Sequence, residues 1–230
     1  MNHLASHRTT ARVLAALLAY PDDGLLEALP EIRALLDDDR QLSTARLATL
    51  RSLIDGLLAQ DPIDAQAGYV DCFDRGRATS LHLFEHVHGD SRDRGPAMID
   101  LGTTYAEAGL LLASNELPDY LPAVLEFAST QEPATARAFL AETAHILNAI
   151  HAALVKRGSP YAAVLAAVIE LAGETPAAVN VPDDEPLDAS WAEPEAFGGC
   201  NAKGQQAPGQ PQPVQIVRRG AASAPASPSH

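Results

Sequence analysis

Apolar residues recur at the spacing of an α-helix along most of this 230-residue chain, and this limits the fold more than any other feature. The segment 47–58 repeats leucine and isoleucine at i, i+3, i+4 and i+7, behind a Ser43 or Thr44 that can cap the first turn. No alternating pattern typical of a β-strand precedes residue 178. The pattern predicts a single all-α domain, a bundle of roughly eight to ten helices with short connections.

Prolines and glycines predict where individual helices begin and end. Pro30 and Pro62 are placed as in the first turn of a helix, and Ile63 is expected to face the core. Gly158 and Gly173 stand where two helices should stop. Later helices are expected over residues 117–129, 133–157 and 160–172.

The composition changes after Gly173. Nine of the 17 prolines fall in the last 58 residues, among glycine, serine, alanine and glutamine, and such a segment cannot bury enough apolar surface to order itself. The only tryptophan, Trp191, stands with Phe197 in an apolar island that can pack on the domain or on a partner. We therefore divide the chain into a helical domain over 8–172, a docking segment around Trp191 over 173–202, and a disordered tail over 203–230.

The formal net charge of −14 argues against nucleic acid and anionic membrane surfaces as partners, since both attract basic patches. An acidic chain suits a basic partner instead. The two cysteines, Cys72 and Cys200, form no disulfide framework, which fits a reducing compartment. The apolar run 13–20 falls short of the ~20 residues of a membrane span. These features predict a cytoplasmic protein without membrane insertion.

Residues 69–102 concentrate charge and imidazole between apolar helical segments, and such concentrations often mark where a protein meets a ligand. His82 and His86 share one helix face at the i, i+4 spacing of helical metal ligands, and His88 follows. A third ligand would have to come from a stretch broken by Gly89. The metal hypothesis therefore competes with a structural one, in which the imidazoles bond main-chain carbonyls and nearby acids.

The same segment offers weak candidates for a catalytic nucleophile. Ser80 with His82, or Cys72 with a histidine, has the residue types of a nucleophile and its base. No nucleophile elbow, glycine-rich phosphate loop or oxyanion arrangement accompanies them. Ser80 fits better as the cap of the helix over 81–87, so the sequence predicts no enzymatic activity.

Apolar and acidic side chains of this segment also fit a peptide-binding groove. Its acidic members, Glu85, Asp90 and Asp93, would suit a basic peptide helix with an apolar face. Glu85 and Asp90 have an internal alternative, which is pairing with Arg92 or Arg94. The apolar members fit either a groove or, at helical spacing, the core; they are Phe73, Leu81, Leu83, Phe84, Met98 and Leu101.

A long motif runs through this segment. It begins with Tyr69-Val70 and Phe73-Asp74-Arg75 and continues as Arg77-x-x-Ser80-Leu81-x-Leu83-Phe84-Glu85-His86-Val87-His88-Gly89-Asp90-Ser91-Arg92-x-Arg94-Gly95-x-Ala97-Met98-x-x-Leu101. Tyr105 and Gly109 extend it, Tyr20-Pro21 precedes it, and Trp191-x-Glu193-Pro194-x-x-Phe197 follows it. In these residues, over 8–198, the chain resembles the NarJ family, the assembly chaperones of respiratory nitrate reductase within the TorD-like chaperones of molybdoenzymes.

The resemblance implies a TorD-like helical bundle and a chaperone function. Such proteins bind the catalytic (alpha) subunit of nitrate reductase through its N-terminal segment, a remnant of a twin-arginine leader. They hold it while molybdenum cofactor and an iron–sulfur cluster enter, bind no cofactor stably themselves, and are not part of the final enzyme. The alternatives are a TorD-like chaperone for another molybdoenzyme and a helical metal-binding protein that uses His82, His86 and His88.

The resemblance and the groove hypothesis together predict the residues that contact the client peptide. Phe84, Glu85, Met98 and Tyr105 are expected to lie near one another around the charged junction. The full set of candidates is Tyr69, Phe73, Arg77, Phe84, Glu85, His86, His88, Asp90, Arg94, Met98 and Tyr105.

Overall fold

A computed structural model describes residues 3–89, 91–113 and 116–179, and this part of the chain is all-α, as predicted. Within it lie ten α-helices and one 3-10 helix, Arg77–Thr79, between the fourth and fifth. The helices are α1 His3–Leu18, α2 Asp23–Leu35, α3 Thr44–Leu58, α4 Pro62–Phe73, α5 Leu83–Val87, α6 Arg94–Glu107, α7 Leu121–Thr130, α8 Pro133–Glu142, α9 Ala144–Lys156 and α10 Ala162–Leu171.

Helix α10 lies at the centre of the bundle. Every residue from Val164 to Ile169 is buried, so the helix is apolar on all sides, as expected for a helix enclosed by others. It packs against α1, α3, α8 and α9, and α1 packs along α7. One continuous apolar core therefore joins the N-terminal and C-terminal helices of the described region.

Polar residues cap three of the early helices. The Asp22 carboxylate accepts a hydrogen bond from the Leu25 amide at 2.8 Å, and Asp61 accepts one from Ile63 at 2.9 Å. Ser43 caps α3, as predicted. The predicted helix start at Pro30 is wrong, because the cap at Asp22 starts α2 seven residues earlier and Pro30 lies inside it.

Two further expectations need correction. Ile63 is 74% exposed, because the first turn of α4 projects beyond the core. The helix expected over 133–157 is two helices that meet at Thr143 with a bend of 67°. The Thr143 hydroxyl donates to the Leu140 carbonyl at 2.8 Å, a side-chain bond that competes with the helical ladder.

The predicted stops at Gly158 and Gly173 are confirmed. Both glycines take positive φ angles, 66° and 85°, which favour glycine. The amides that follow them, of Ser159 and Glu174, reach back to Leu154 and Ile169 at 2.9 and 3.0 Å. These bonds close the last turn in the manner of a Schellman motif.

No single helix within the described ranges is long and apolar enough to cross a membrane, and α8 with α9 meets that test only as a bent pair. The docking segment predicted around Trp191, from residue 180 onward, and the tail over 203–230 lie outside the described residues. So does Asp90.

Helix α6 lies at the periphery. Tyr105 is the one buried residue among those of α6, and Ile99 is largely exposed. The Tyr105 ring stacks on Phe127 of α7 with centroids 4.5 Å apart, and its hydroxyl donates to the Pro118 carbonyl at 2.8 Å. A single aromatic side chain thus fastens the C-terminal half of α6 to the bundle.

Candidate functional site

A cleft of about 690 Å³ opens between the end of α4, the residues that precede α5, and the segment before α7. This volume lies within the roughly 300–1,000 Å³ of typical ligand sites. The cleft combines aromatic, aliphatic and acidic side chains. Its lining residues are Tyr20, Tyr69, Phe73, Asp74, Ser80, Leu81, His82, Ala113, Glu116, Leu117 and Tyr120.

Aromatic rings form one wall of the cleft. Tyr69 packs against Phe73 with centroids 4.8 Å apart and meets Tyr20 edge to face at 5.6 Å. The Tyr69 hydroxyl donates to the Leu18 carbonyl at 2.8 Å and lies 3.2 Å from the Tyr120 hydroxyl. Burial raises the pKa of Tyr69 far above its ordinary value and raises the pKa of Tyr120 as well. The phenols therefore stay neutral and act as a fixed aromatic surface.

Two carboxylates border this aromatic wall. Asp74 follows the end of α4 and Glu116 precedes α7, and both are exposed. Neither forms an ion pair with any other residue in the described ranges. Leu117, 45% exposed, adds an aliphatic contact beside them. The cleft thus offers apolar surface with a negative edge.

Main-chain hydrogen bonds join the two sides of the cleft. The Leu83 amide donates to the Asp119 carbonyl at 3.0 Å, and the Leu121 amide donates to the Leu81 carbonyl at 2.9 Å. His82 and Tyr120 thereby form an isolated antiparallel bridge, and their rings lie 5.3 Å apart. The pairing of these two backbone segments therefore fixes the distance between the two sides of the cleft at this point.

Asp119 is a fully buried acid behind the cleft, and no sequence pattern points to its role. Its carboxylate accepts the Phe84 amide at 3.1 Å, lies 3.3 Å from His82 Nδ1, and is 3.9 Å from the Arg94 guanidinium. It therefore caps α5 from a distant segment. Its partners are 25 to 37 residues away in the chain, so no local spacing could have revealed them.

The hydrogen bond that the His82 ring donates to the Asp119 carboxylate raises the pKa of His82 above its ordinary 6.5. A histidine whose pKa is higher in the folded state than in the unfolded state stabilises the fold. The stabilisation is complete at pH below the unfolded-state pKa and is lost as the pH rises through the folded-state pKa. We expect the unfolding free energy of the wild type to exceed that of His82→Asn at pH below 6.5 and this difference to shrink as pH rises. Urea unfolding at a series of pH values measures it.

Gln60→Asn provides the control for this prediction, since Gln60 is exposed and carries no titratable side chain. This variant should differ from the wild type by the same amount at every pH. A constant difference for His82→Asn as well would show that the bond to Asp119 contributes no pH-dependent stability.

The structure brings two of the predicted contact residues, Tyr69 and Phe73, into the cleft. Met98, half-buried on α6, is not among the lining residues. Tyr105 is buried against Phe127, with its hydroxyl bonded within the protein. The Arg77 guanidinium packs over Gly89, 3.4 Å from where a Cβ would stand.

The predicted residues of α5 lie next to the cleft and make internal contacts. Glu85 pairs with Arg94 at 3.4 Å, so the internal alternative holds for this carboxylate. Phe84 meets the His88 ring edge to face at 5.4 Å. His86 Nε2 bonds the Ser80 carbonyl at 2.9 Å, in agreement with the structural hypothesis for this imidazole.

The structure does not arrange these groups for nucleophilic catalysis or metal binding. The Ser80 hydroxyl accepts from the His82 main-chain amide at 3.2 Å, while the His82 ring faces Asp119. Cys72 is buried, lies 3.2 Å from the Ser159 hydroxyl, and has a pKa raised by burial. In the part of the chain that the structure describes, no group of three or more potential ligands could hold a metal ion.

In the described residues the fold is all-helical and carries an aromatic cleft with an acidic edge, an arrangement suited to a binding protein. The family model described as nitrate reductase delta subunit matches residues 23–167, and the chain belongs to this family. The resemblance to the NarJ family seen in the sequence is thereby confirmed.

Three curated relatives cover most of the chain. It is 40% identical to the nitrate reductase molybdenum cofactor assembly chaperone NarJ of Escherichia coli K12, over 82% of this chain and 86% of that protein. It is 38% identical to the probable assembly chaperone NarW of the same strain, over 79% and 80%. It is 32% identical to the probable assembly chaperone NarJ of Bacillus subtilis 168, over 68% and 84%.

Proposed function

We propose that this protein is an assembly chaperone of nitrate reductase and not an enzyme. It binds the catalytic subunit before that subunit is complete and keeps it competent to receive molybdenum cofactor. The names of the relatives and the family model support this function. The chaperone acts in the cytoplasm and is released before the enzyme is finished.

The cleft is the observation that carries the binding proposal. An amphipathic peptide segment binds best where its apolar face meets a concave apolar surface and its charges meet complementary ones. Tyr20, Tyr69, Phe73 and Leu117 supply the apolar surface, and an acidic edge borders them. The N-terminal segment of the catalytic subunit is the proposed occupant. Molybdenum cofactor and the iron–sulfur cluster are cargo for the client, and the chaperone holds neither stably.

We expect a synthetic peptide that copies the first ~30 residues of the catalytic subunit, long enough for several helical turns, to bind the full chain. Apolar burial should produce a negative heat-capacity change. Leu117→Asp should weaken binding by at least about tenfold, because it places a charge on the apolar surface. Calorimetric titration at several temperatures measures both effects.

Val155 supplies the matched control, since it is an exposed valine on α9 that does not line the cleft. Val155→Asp should bind the peptide like the wild type. The proposed function is wrong if the titration releases no heat and the peptide does not compete with the cofactor-free catalytic subunit for binding to this protein. If both aspartate variants bind equally, the cleft is not the site.

A further inference from the structure

We propose that a segment of this chain's own C-terminal region, residues 214–219, occupies the cleft when no client is bound and so competes with the client for it. The segment reads Val-Gln-Ile-Val-Arg-Arg and lies outside the described residues. Its occupancy of the cleft stands on its own, whereas the competition rests on the proposed function. The C-terminal region thereby receives a regulatory role.

The composition of the C-terminal region is the first argument. All 30 acidic residues of the chain lie before residue 198, so the region 198–230 has a charge opposite to that of the rest. Its lysine and arginine side chains are Lys203, Arg218 and Arg219. Its large aliphatic side chains stand directly before the two arginines, and they are Val214, Ile216 and Val217. Apolar and cationic groups therefore coincide within 214–219.

The lining of the cleft offers the complementary surface. Among its described residues are two exposed carboxylates, Asp74 and Glu116, and neither arginine nor lysine. Burial raises the pKa of the Tyr120 hydroxyl, and the two carboxylates raise it further, so both lie close to the aromatic wall. The buried Asp119 offsets the charge of a protonated His82. Two guanidinium groups beside aliphatic side chains would thus meet carboxylates and aromatic rings together.

The described chain ends within reach of the cleft. The Ala177 amide donates to the Asn148 side-chain oxygen at 2.6 Å, which holds the departing chain on α9. Just past the far end of α9, the Arg157 guanidinium donates to the Cys72 carbonyl at 3.2 Å, next to the cleft residue Phe73. The helical rise along α9 and the length of an arginine side chain place the cleft about 25 Å from the departing chain.

The length of the intervening chain fits this distance. Residues 180–213 are 34 residues, and a linker of that length without secondary structure spans about 30–35 Å on average. Two groups on a linker whose average span matches their separation meet at an effective concentration on the order of 1 mM. A segment that binds with a Kd of about 0.25 mM would then fill the cleft for about four-fifths of the time.

Paramagnetic broadening in NMR spectra of the full chain tests the occupancy. A nitroxide is attached through Ser223→Cys, four residues after the arginine pair, in a chain that also carries Cys200→Ser. Cys72 is buried and stays unlabelled. The nitroxide should broaden the amide signals of the cleft residues Tyr20 and Leu117, and addition of the client peptide should restore them.

Substitutions within the segment identify the groups that bind. Arg218→Ser with Arg219→Ser should remove most of the broadening in the cleft, because the carboxylates lose their counter-charges. Ile216→Ser with Val217→Ser should do the same without a change in net charge. Lys203→Ser is the control, since it removes a cation outside the segment, and it should leave the broadening unchanged. Melting temperatures confirm that every variant is folded.

A mixture of two samples shows whether the contact lies within one chain. Chains with the nitroxide and no isotope label are mixed with isotope-labelled chains that carry no nitroxide. An intramolecular contact should give no broadening in this mixture. Broadening of the cleft signals would place the segment of a second copy there and overturn the proposal.

Calorimetric titration with the client peptide measures the competition. The double arginine variant should bind the peptide about fivefold more tightly than the wild type, because the fraction of open clefts rises from about one-fifth to nearly one. Lys203→Ser should bind it like the wild type.

The outcomes separate this inference from the proposed function. Broadening that spreads evenly over the protein, or that is equal in the double arginine variant, overturns the occupancy and leaves the chaperone function standing. Equal peptide affinity in the wild type and that variant overturns the competition. Broadening confined to the cleft, in a protein that binds the peptide neither as wild type nor as variant, supports the occupancy and contradicts the proposed function.

Discussion

Asp119→Ala is expected to lower the unfolding free energy by about 3 kcal/mol, since it removes a buried carboxylate whose partners stay behind. The Phe84 amide loses its acceptor, and the positive charges of Arg94 and protonated His82 lose the buried group that offsets them. Urea unfolding followed by circular dichroism measures the change.

Asp119→Asn separates the hydrogen bond from the charge. An amide oxygen can still accept from Phe84, so this variant should lose about half as much stability as the alanine variant. The exposed Asp100→Asn on α6 is the control and should unfold like the wild type. An alanine variant within about 0.5 kcal/mol of wild type, the range of ordinary surface changes, would mean that Asp119 does not hold this region together.

Tyr105→Ala should have an effect at least as large, about 3–5 kcal/mol, since it removes a fully buried aromatic side chain. Tyr105 is the one buried residue of α6, and the substitution removes its stack on Phe127. The variant's amide hydrogen exchange should therefore be faster than the wild type's across α6, with a smaller increase in α10. Urea unfolding and exchange on the same samples measure both quantities.

Tyr105→Phe provides the conservative comparison. It keeps the stack and removes the hydrogen bond to the Pro118 carbonyl, so the expected loss is about 1 kcal/mol. The sequence-based hypothesis places Tyr105 in contact with the client peptide. A phenylalanine variant with wild-type stability and greatly reduced peptide binding would favour that hypothesis over a structural role.

The helical architecture was readable from the chain because its determinants are local. The stripe over 47–58, the cap at Ser43 and the stops at Gly158 and Gly173 each depend on residues within two turns of one another. The errors have local causes too. Pro30 resembles a first-turn proline unless the stronger cap at Asp22 is weighed, and Thr143 breaks a helix through a bond that helical periodicity does not register.

The site was less predictable because it is assembled from distant segments. Tyr69 and Phe73 were expected near a ligand and line the cleft, but Glu116 and Tyr120 come from a stretch that shows no unusual concentration of charge. Asp119 is the clearest case. In the sequence it cannot be told from a surface acid, because the residues that it contacts are distant in the chain. The motif identified the family and contains some of the residues that line the cleft, and tertiary contacts decided which side chains face it.

The backbone bridge between His82 and Tyr120 separates two properties that many binding sites combine. Main-chain bonds hold the opening of the cleft, and they do not depend on which side chains point into it. The exposed part of the lining can therefore be exchanged during evolution without loss of the frame. Under the proposed binding of the client in the cleft, a duplicated gene that keeps this scaffold adopts a different client by a few substitutions at exposed positions such as Tyr20 and Glu116. The buried lining residues Tyr69, Phe73 and Leu81 also belong to the core and stay under selection for folding.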